Sequence, residues 1–172
     1  MEYVTFGRTG VKVSRIGFGG ATAGLKNYIR SYDPQDKAAR DGILAAIARA
    51  LELGITYFDT APGYGKSEDL FGVAIKEMSK TRAKKPFYIS TKSARTDPAE
   101  VRRECETSLK RMNLDYIDFY HVWCLVTLDE FHLRKARGVL KEFEKLKSEG
   151  LIRHICVSSV NGGAKVYHLA GG

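Results

Sequence analysis

Short, almost continuously apolar segments alternate along this sequence with longer segments whose apolar residues recur at helical spacing. The short segments predict buried strands, and the longer ones predict helices that turn one face to a core. The expected strands cover residues 15–20, 55–58, 87–90, 116–120 and 152–157. The expected helices cover approximately residues 33–53, a segment that begins at 67, residues 97–112, and a long segment that ends before Gly150.

Capping residues mark several of these helix limits. Asp97, Pro98 and Glu100 place an N-cap, a proline in the first turn and an acid at the third helical position, which is a typical helix start. Ser67 is a candidate cap for the preceding helix. Gly150 follows the last helical segment, where glycine commonly ends a helix.

The order of the elements predicts an α/β fold. Residues 3–14 form two short runs on either side of a glycine-containing turn, which predicts an N-terminal hairpin. Since helices separate the five later strands, the right-handed crossover rule predicts five parallel strands with four helices outside them. A chain of 172 residues fits one domain, which we place at residues 1–159. Residues 160–172 contain four glycines and no helical period, which predicts a C-terminal tail.

The sequence composition argues against a secreted or membrane-spanning protein, and against disulfide and thiolate metal sites. The chain does not begin with a basic region and an apolar run, and no later window has the apolar length of a membrane span. Its three cysteines, Cys105, Cys124 and Cys156, include no CxxC pair, which argues against a disulfide framework and a thiolate metal site. We therefore expect a cytoplasmic protein with no membrane partner and no bound metal.

A net charge of +8 admits a nucleic-acid partner, an acidic substrate or only a well-solvated surface. The tightest basic cluster, Lys80, Arg82, Lys84 and Lys85, lies between a helix and the next strand, away from the carboxyl ends of the strands. No nucleic-acid-binding motif accompanies it. The solvated surface is therefore the favoured interpretation, and we expect no nucleic-acid partner.

Reactive side chains of parallel α/β sheets collect where strands end, and four polar residues are predicted there. Asp59 follows the second parallel strand, Lys92 closes the third and His121 closes the fourth, while Tyr64 lies between two glycines in the loop after Asp59. Each residue alone has a structural interpretation: a loop acid, an ion-pair lysine, a rim aromatic and a hydrogen-bonded core histidine. Four suitable residues at the same end of three consecutive strands favour a catalytic site.

These four side chains suit protonation of a carbonyl oxygen. Free tyrosine has a pKa of about 10, and a nearby ammonium favours its phenolate. At an effective dielectric constant of about 20, a unit charge at about 4 Å contributes roughly 4 kcal/mol. Lys92 can supply that charge, and Asp59 can hold Lys92 in place and keep it protonated. His121 can then hydrogen-bond the substrate oxygen.

The chain resembles the aldo-keto reductases over about its first 159 residues. After the opening hairpin, the motifs that carry the resemblance are Ile16-Gly17-Phe18-Gly19, Phe58-Asp59-Thr60-Ala61-Pro62-Gly63-Tyr64-Gly65, Ile89-Ser90-Thr91-Lys92, Asp115-Tyr116-Ile117-Asp118-Phe119-Tyr120-His121 and Lys147-Ser148-Glu149-Gly150-Leu151-Ile152-Arg153-His154-Ile155. The resemblance implies a partial (β/α)8 TIM barrel and NADPH-dependent reduction of a small carbonyl substrate, an aldehyde or ketone. Tyr64 would be the general acid, with the other three residues in the roles given above. The subgroup most similar has longer members that append a ferredoxin-like iron-sulfur region, which is not in this chain.

The resemblance also implies a cofactor site, from which the chain departs in two respects. The implied cofactor-binding residues are Gly19, Gly20, Asp59, Ser158 and Ser159. Where the family usually has Gly-Val-Ser-Asn, this chain has Cys156-Val157-Ser158-Ser159, so Ser158 matches and Ser159 does not. Nothing after Ser159 resembles the loops after strands seven and eight that hold the adenosine phosphates, so NADPH binding is expected to be weak or absent in this chain alone.

Two further functional interpretations remain open. A (β/α)8 barrel normally takes at least about 200 residues, and an unclosed sheet exposes apolar surface and two unpaired edges. We therefore expect a homo-oligomer or a missing C-terminal half. The rivals to the reductase are a non-catalytic half barrel that self-associates or binds a partner, and a truncated product of a longer gene.

Overall fold

The computed structural model describes residues 1–26, 30–31, 36–82 and 87–159. The strands are β1 (Tyr3–Thr5), β2 (Lys12–Ser14), β3 (Phe18–Gly19), β4 (Leu25–Lys26), β5 (Arg30–Ser31), β6 (Tyr57–Asp59), β7 (Tyr88–Ser93), β8 (Ile117–Val122) and β9 (Ile152–Val157). The helices are α1 (Ala21–Gly24), α2 (Lys37–Glu52), α3 (Ser67–Arg82), α4 (Pro98–Met112), α5 (Leu128–Ala136) and α6 (Val139–Ser148).

The main sheet has five parallel strands in the order β3-β6-β7-β8-β9. This confirms the predicted α/β class and the five parallel strands. The predicted N-terminal hairpin is also confirmed, since β1 and β2 pair antiparallel. A second two-stranded sheet, β4 with β5, was not predicted.

The two faces of the main sheet carry different side chains because successive residues of a strand point to opposite faces. Phe58 on β6 contacts Phe71 of α3, and Tyr120 on β8 stacks on Phe143 of α6, so this face packs against the helices. On the opposite face, Phe119 contacts the rings of Phe6 and Tyr57. We call this second face the inner face. It carries every second residue of β6, starting from Tyr57, and every second residue of β8, starting from Phe119. Residues of the other strands that pair with these lie on the same face.

Helix α4 forms as its sequence predicts. The Asp97 side chain accepts a hydrogen bond from the backbone N–H of Glu100 at 3.0 Å, with Pro98 in the first turn. The helix ends at Asn113, which adopts the left-handed conformation with φ of 52°. Its buried residues are Val101, Cys105, Ser108, Leu109 and Met112.

Two predicted helix features were wrong. The long helix before Gly150 is two helices, α5 and α6, because Gly138 between them has a φ of 83°, which a continuing right-handed helix does not allow. Ser67 is the first residue of α3 rather than a cap before it. Its hydroxyl hydrogen-bonds the hydroxyl of Thr60 at 2.7 Å, which ties the helix start to the end of β6.

Two strands are longer than predicted, and this moves two candidate residues. Strand β7 continues to Ser93 and β8 continues to Val122, so Lys92 and His121 lie inside their strands instead of closing them. They are paired in register across the two strands. The predicted tail at 160–172, Pro34, Lys84 and Lys85 lie outside the described residues. Within the described part of the chain, no helix has both the length and the apolar character of a membrane span.

Candidate active site

The centre of the candidate site is an ion pair on the inner face. The Lys92 Nζ atom donates hydrogen bonds to Asp59 Oδ2 at 2.6 Å and to the backbone oxygen of Thr60 at 2.7 Å. The second carboxylate oxygen of Asp59 accepts a hydrogen bond from the Ser90 hydroxyl at 3.0 Å. Because Asp59 ends β6 and Lys92 lies on β7, the pairing of these two strands brings the charges together as predicted.

Burial and charge act in opposite directions on Lys92. Burial lowers the pKa of its ammonium group, while the Asp59 carboxylate raises it. Glu68, which is almost fully buried, adds a smaller attraction. The Glu68 carboxylate itself accepts hydrogen bonds from Thr91 at 2.8 Å and Arg111 at 3.2 Å. The lysine therefore sits among fixed acceptors with little water, where its charge acts strongly on its neighbours.

Tyr64 reaches this ion pair from the loop between β6 and α3. The loop is held by hydrogen bonds from the Tyr64 backbone N–H to the Ala61 oxygen and from the Ser67 backbone N–H to the Tyr64 oxygen, both at 3.0 Å. Gly65 has a φ of 58°, a left-handed conformation that favours glycine, so the turn after Tyr64 requires this residue. The Lys92 Nζ atom lies 4.8 Å from the centroid of the Tyr64 ring.

His121 lies beside the ion pair and is almost completely buried. Neither ring nitrogen has a hydrogen-bond partner of regular geometry among the described residues. Burial lowers the pKa of His121 to about 4, while the Asp59 carboxylate opposes the shift and Lys92 adds to it. The imidazole is therefore neutral at neutral pH, with one donor and one acceptor nitrogen. The backbone of Val157 lies near one of them in a hydrogen bond of poor geometry, which slightly opposes the fall in pKa.

Trp123 is part of the site and was not predicted from the sequence. Its ring packs edge-on against Tyr64, with centroids 5.6 Å apart and planes at 84°. The Lys92 Nζ atom lies 5.9 Å from the same indole. Trp123 directly follows β8, two residues after His121, and it is the single tryptophan of the chain. An indole is neither charged nor strongly polar, so polar residues at strand ends do not indicate it.

Gly63 serves the site by its lack of a side chain. A Cβ atom built on Gly63 would lie 3.0 Å from the Trp123 ring, so a larger residue would push the indole away. Gly63 does not have a positive φ, unlike Gly65. The two glycines around Tyr64 thus have different roles, one in the backbone turn and one in the approach of an aromatic ring.

Among the expected cofactor-binding residues, Gly20 and Ser159 already make contacts within the fold, whereas Gly19 and the hydroxyl of Ser158 are open. Gly20 is packed, because a Cβ atom there would lie 2.6 Å from the Ser67 hydroxyl and 2.8 Å from the Asp59 backbone oxygen, whereas Gly19 has open space. The Ser159 hydroxyl donates a hydrogen bond to the backbone oxygen of Leu125. Ser158 uses its backbone N–H and oxygen with Val122 and Leu125, and within the described residues its hydroxyl has no bond.

The assembled site can stabilise and protonate an oxygen atom. A phenol, an ammonium and a neutral imidazole lie at one end of the inner face, next to a carboxylate that balances the ammonium. A cavity of about 550 Å³ borders His121, His154 and Cys156 on the β8 and β9 side. A second cleft of about 570 Å³ borders Trp123 and Gly63 and is otherwise lined mainly by charged side chains of the β7–α4 loop and α4. Tyr64, Asp59 and Lys92 line neither cavity, so the catalytic candidates lie between the two.

Comparison with known proteins points to one family. The family model described as the Aldo/keto reductase family matches residues 15–170. The chain is 31% identical over 170 residues to L-galactose dehydrogenase of Arabidopsis thaliana, covering 93% of this chain and 49% of that protein. It is 36% identical over 174 residues to the aldo-keto reductase YhdN of Bacillus subtilis, covering 92% of this chain and 47% of that protein. The chain spans about half the length of these relatives.

Solved structures agree with this result. A putative aldo-keto reductase from Pseudomonas aeruginosa superimposes with a TM-score of 0.76 at 29% identity, covering 99% of this chain and 64% of that chain. The aldo-keto reductase AKR11C1 from Bacillus halodurans, in its holo form, gives a TM-score of 0.76 at 25% identity, covering 99% of this chain and 54% of that one.

Proposed function

Because the chain belongs to the aldo/keto reductase family, we propose that it takes part in the NADPH-dependent reduction of an aldehyde or ketone to an alcohol. The observation that carries this proposal is the position of Tyr64 beside the Lys92–Asp59 ion pair. Since the chain spans about half of its relatives, the activity of the whole protein is part of the proposal.

In the proposed reaction Tyr64 donates the proton that the carbonyl oxygen gains. The ammonium group of Lys92 stabilises the phenolate that remains, which makes proton donation near neutral pH easier. Asp59 keeps Lys92 protonated against the effect of burial and fixes its direction through the 2.6 Å hydrogen bond. Loss of the charge of Lys92 or of Asp59 therefore makes Tyr64 a weaker acid but leaves its hydroxyl in place.

His121 orients the substrate oxygen in this proposal. Its neutral ring can donate one hydrogen bond without repelling Lys92, and its nitrogens have no partner of regular geometry among the described residues. A buried polar group without a partner is costly, so a substrate oxygen that accepts its N–H removes that cost.

The residues present fit one end of a nicotinamide nucleotide. The hydroxyl of Ser158 has no hydrogen bond within the described residues, so it can bind the amide group of the nicotinamide. Gly19 has open space beside Asp59. The Ser159 hydroxyl is already used by Leu125, so we do not assign it a cofactor contact. When bound, NADPH supplies the hydride that the carbonyl carbon gains. Weak binding of NADPH by this chain alone stays a prediction.

A non-catalytic half barrel is the second candidate function. It is favoured by β9, which ends the main sheet and has a neighbour on one side only among the described strands. Such an edge offers backbone groups for pairing with another chain. In this case the protein forms a homo-oligomer or binds a complementary half, and the Tyr64 site has no turnover.

Titration of the purified chain with NADPH, alongside size-exclusion chromatography, separates the two functions. The reductase proposal predicts a saturable change in nucleotide fluorescence, and a Ser158→Ala variant should weaken it, with Ser148→Ala on the surface of α6 as the control. An oligomer that shows no binding at millimolar NADPH would support the non-catalytic half barrel instead.

A further inference from the structure

We infer that Glu68, in the first turn of α3, is a positioning residue that keeps the Lys92 ammonium charged and directed at Tyr64 from behind the sheet. The inference rests on the proposed reduction at Tyr64 and adds a second carboxylate to the groups that serve this reaction. Glu68 lies on the helix side of the sheet, so it acts through Lys92 and does not contact the substrate.

A closed ring of polar groups joins Glu68 to Lys92. The Lys92 Nζ atom donates to the Thr60 backbone oxygen at 2.7 Å, and the Thr60 and Ser67 hydroxyls share a hydrogen bond of 2.7 Å. The next residue, Glu68, accepts a hydrogen bond from the Thr91 hydroxyl at 2.8 Å. Thr91 directly precedes Lys92 on β7, which closes the ring. The start of α3 is therefore fastened to β6 and β7 around the lysine.

Glu68 and Lys92 belong to opposite faces of the sheet. Thr91 and Lys92 are successive residues of a strand, so the Thr91 hydroxyl lies on the helix side while the Lys92 side chain lies on the inner face. Every residue of the ring is at most 5% exposed. Water therefore screens the attraction between the Glu68 carboxylate and the Lys92 ammonium only weakly.

The charge of Glu68 is not needed for its hydrogen bond to Thr91, because the amide oxygen of a glutamine could accept the same bond. A buried charge is costly unless an opposite charge balances it. Arg111 of α4 donates one hydrogen bond to Glu68 at 3.2 Å, but its side chain is 40% exposed and water screens its charge. The buried Lys92 ammonium therefore shares the balancing of the Glu68 charge with Arg111.

The titratable groups that face Lys92 come from β6, the loop after it, α3, β8 and the segment after β8: Asp59, Tyr64, Glu68, His121 and Cys124. Burial lowers the pKa of Lys92, whereas the carboxylates of Asp59 and Glu68 and, more weakly, Cys124 raise it. His121 is neutral near neutral pH and adds no charge. Without the Glu68 charge, burial is opposed mainly by Asp59, so the pKa of Lys92 falls.

The titration of Lys92 tests the inference without any turnover. Protein labelled with 13C in its lysine side chains is followed by NMR as the pH rises, with Lys92→Arg to assign the signal. Glu68→Gln removes the charge and keeps an acceptor for Thr91, so the midpoint of the Lys92 titration should move at least about half a pH unit lower. A midpoint unchanged from the wild type in folded Glu68→Gln would overturn the inference.

Asp118→Asn is the matched control for this titration. Asp118 is also a buried carboxylate bound to β7, where it accepts a hydrogen bond from the Ile89 backbone N–H at 2.9 Å. Its replacement should perturb the fold but leave the midpoint of the Lys92 titration in place, because Asp118 takes no part in the ring around Lys92. Equal shifts in Glu68→Gln and Asp118→Asn would contradict a specific role of Glu68.

If Glu68→Gln does not fold, the double variant Glu68→Gln with Arg111→Gln takes its place. Removing both partners leaves no unpaired charge between α3 and α4, and the Lys92 midpoint should still move lower.

Kinetics show whether the charge of Glu68 serves the proposed reaction. The pH above which kcat declines should fall together with the Lys92 midpoint, while KM changes little. A kcat profile that stays in place while the midpoint moves would contradict the positioning role. A chain that has no turnover, but whose Lys92 midpoint still responds to Glu68→Gln, would contradict the proposed reaction and support the coupling of Glu68 to Lys92.

Discussion

The Lys92 ammonium lies 2.6 Å from the Asp59 carboxylate, and the two side chains are 7% and 25% exposed. The pair joins the end of β6 to the middle of β7 and also anchors the lysine to the Thr60 backbone oxygen. A charge so little exposed is costly unless it is paired. The stability and the chemistry of the site therefore depend on the same contact.

Replacing Asp59 by Asn should destabilise the fold and weaken the acid. The change leaves the buried Lys92 without its main charge partner, so the pKa of Lys92 falls further below its usual value. We expect the free energy of unfolding to fall by about 2 kcal/mol, less than for a fully buried pair because Asp59 is partly exposed. Urea denaturation measures this change.

The double variant Asp59→Asn with Lys92→Met is the control for that experiment. Removing both charges leaves no unpaired ammonium, so the double variant should lose at least about 1 kcal/mol less than the sum of the two single variants. Additive losses would show that the two residues do not stabilise each other.

The pKa of His121 predicts how stability depends on pH. Its folded value of about 4 lies below the usual 6.5, so between these values the unfolded chain binds more protons than the folded one. The free energy of unfolding therefore keeps the full contribution of neutral His121 above pH 6.5. It falls by about 3 kcal/mol as the pH drops to 4. His121→Asn removes this titration.

The test is the difference in unfolding free energy between the wild type and His121→Asn, measured by urea denaturation at pH 7 and at pH 4. The wild type should lose about 3 kcal/mol relative to the variant over this range. A difference that stays constant with pH would mean that His121 is not buried as a neutral ring.

Two helical glycines predict opposite effects of the same substitution. A Cβ atom on Gly72 in α3 would lie 2.2 Å from the backbone oxygen of Arg111 at the end of α4, so Gly72→Ala must push the two helices apart. We expect a loss of about 2 kcal/mol. Gly42 in α2 has no atom within 4 Å of such a Cβ, and Gly42→Ala should stabilise by roughly 0.5 to 1 kcal/mol.

Thermal or urea unfolding of both glycine variants checks the packing of α3 on α4. The gain in helix propensity is the same in both, so their difference isolates the steric contact at Arg111. Equal stabilities would contradict the close approach of the two helices.

The sequence predicted the order of elements because apolar period and capping are local signals. Residues 152–157 have the predicted limits, and α4 begins at Pro98 as expected. The split between α5 and α6 was missed because Gly138 lies inside a continuous helical period, and only its φ of 83° shows that the helix stops. The helical period of the apolar residues shows which side chains face the core, but it does not show whether one helix or two carry them.

The sequence predicted only part of the site, because contacts between different loops leave no local pattern in it. Asp59, Lys92 and Tyr64 come together because neighbouring parallel strands bring their carboxyl ends to one place. Strand β8 runs two residues further than its apolar run indicates, so His121 lies within the strand and Trp123 takes the place after it. An indole carries no charge and gave no signal of chemistry in the sequence, and its contact with Tyr64 depends on Gly63, a residue of another loop.

The most direct test of the account is the rate of NADPH-dependent benzaldehyde reduction by the wild type and by Tyr64→Phe. The variant keeps the ring that packs on Trp123 and lacks only the hydroxyl, and urea denaturation beside the wild type checks that it is folded. If Tyr64 donates the proton, kcat should fall at least about 100-fold. A Tyr64→Phe variant that reduces benzaldehyde at the wild-type rate would contradict the account.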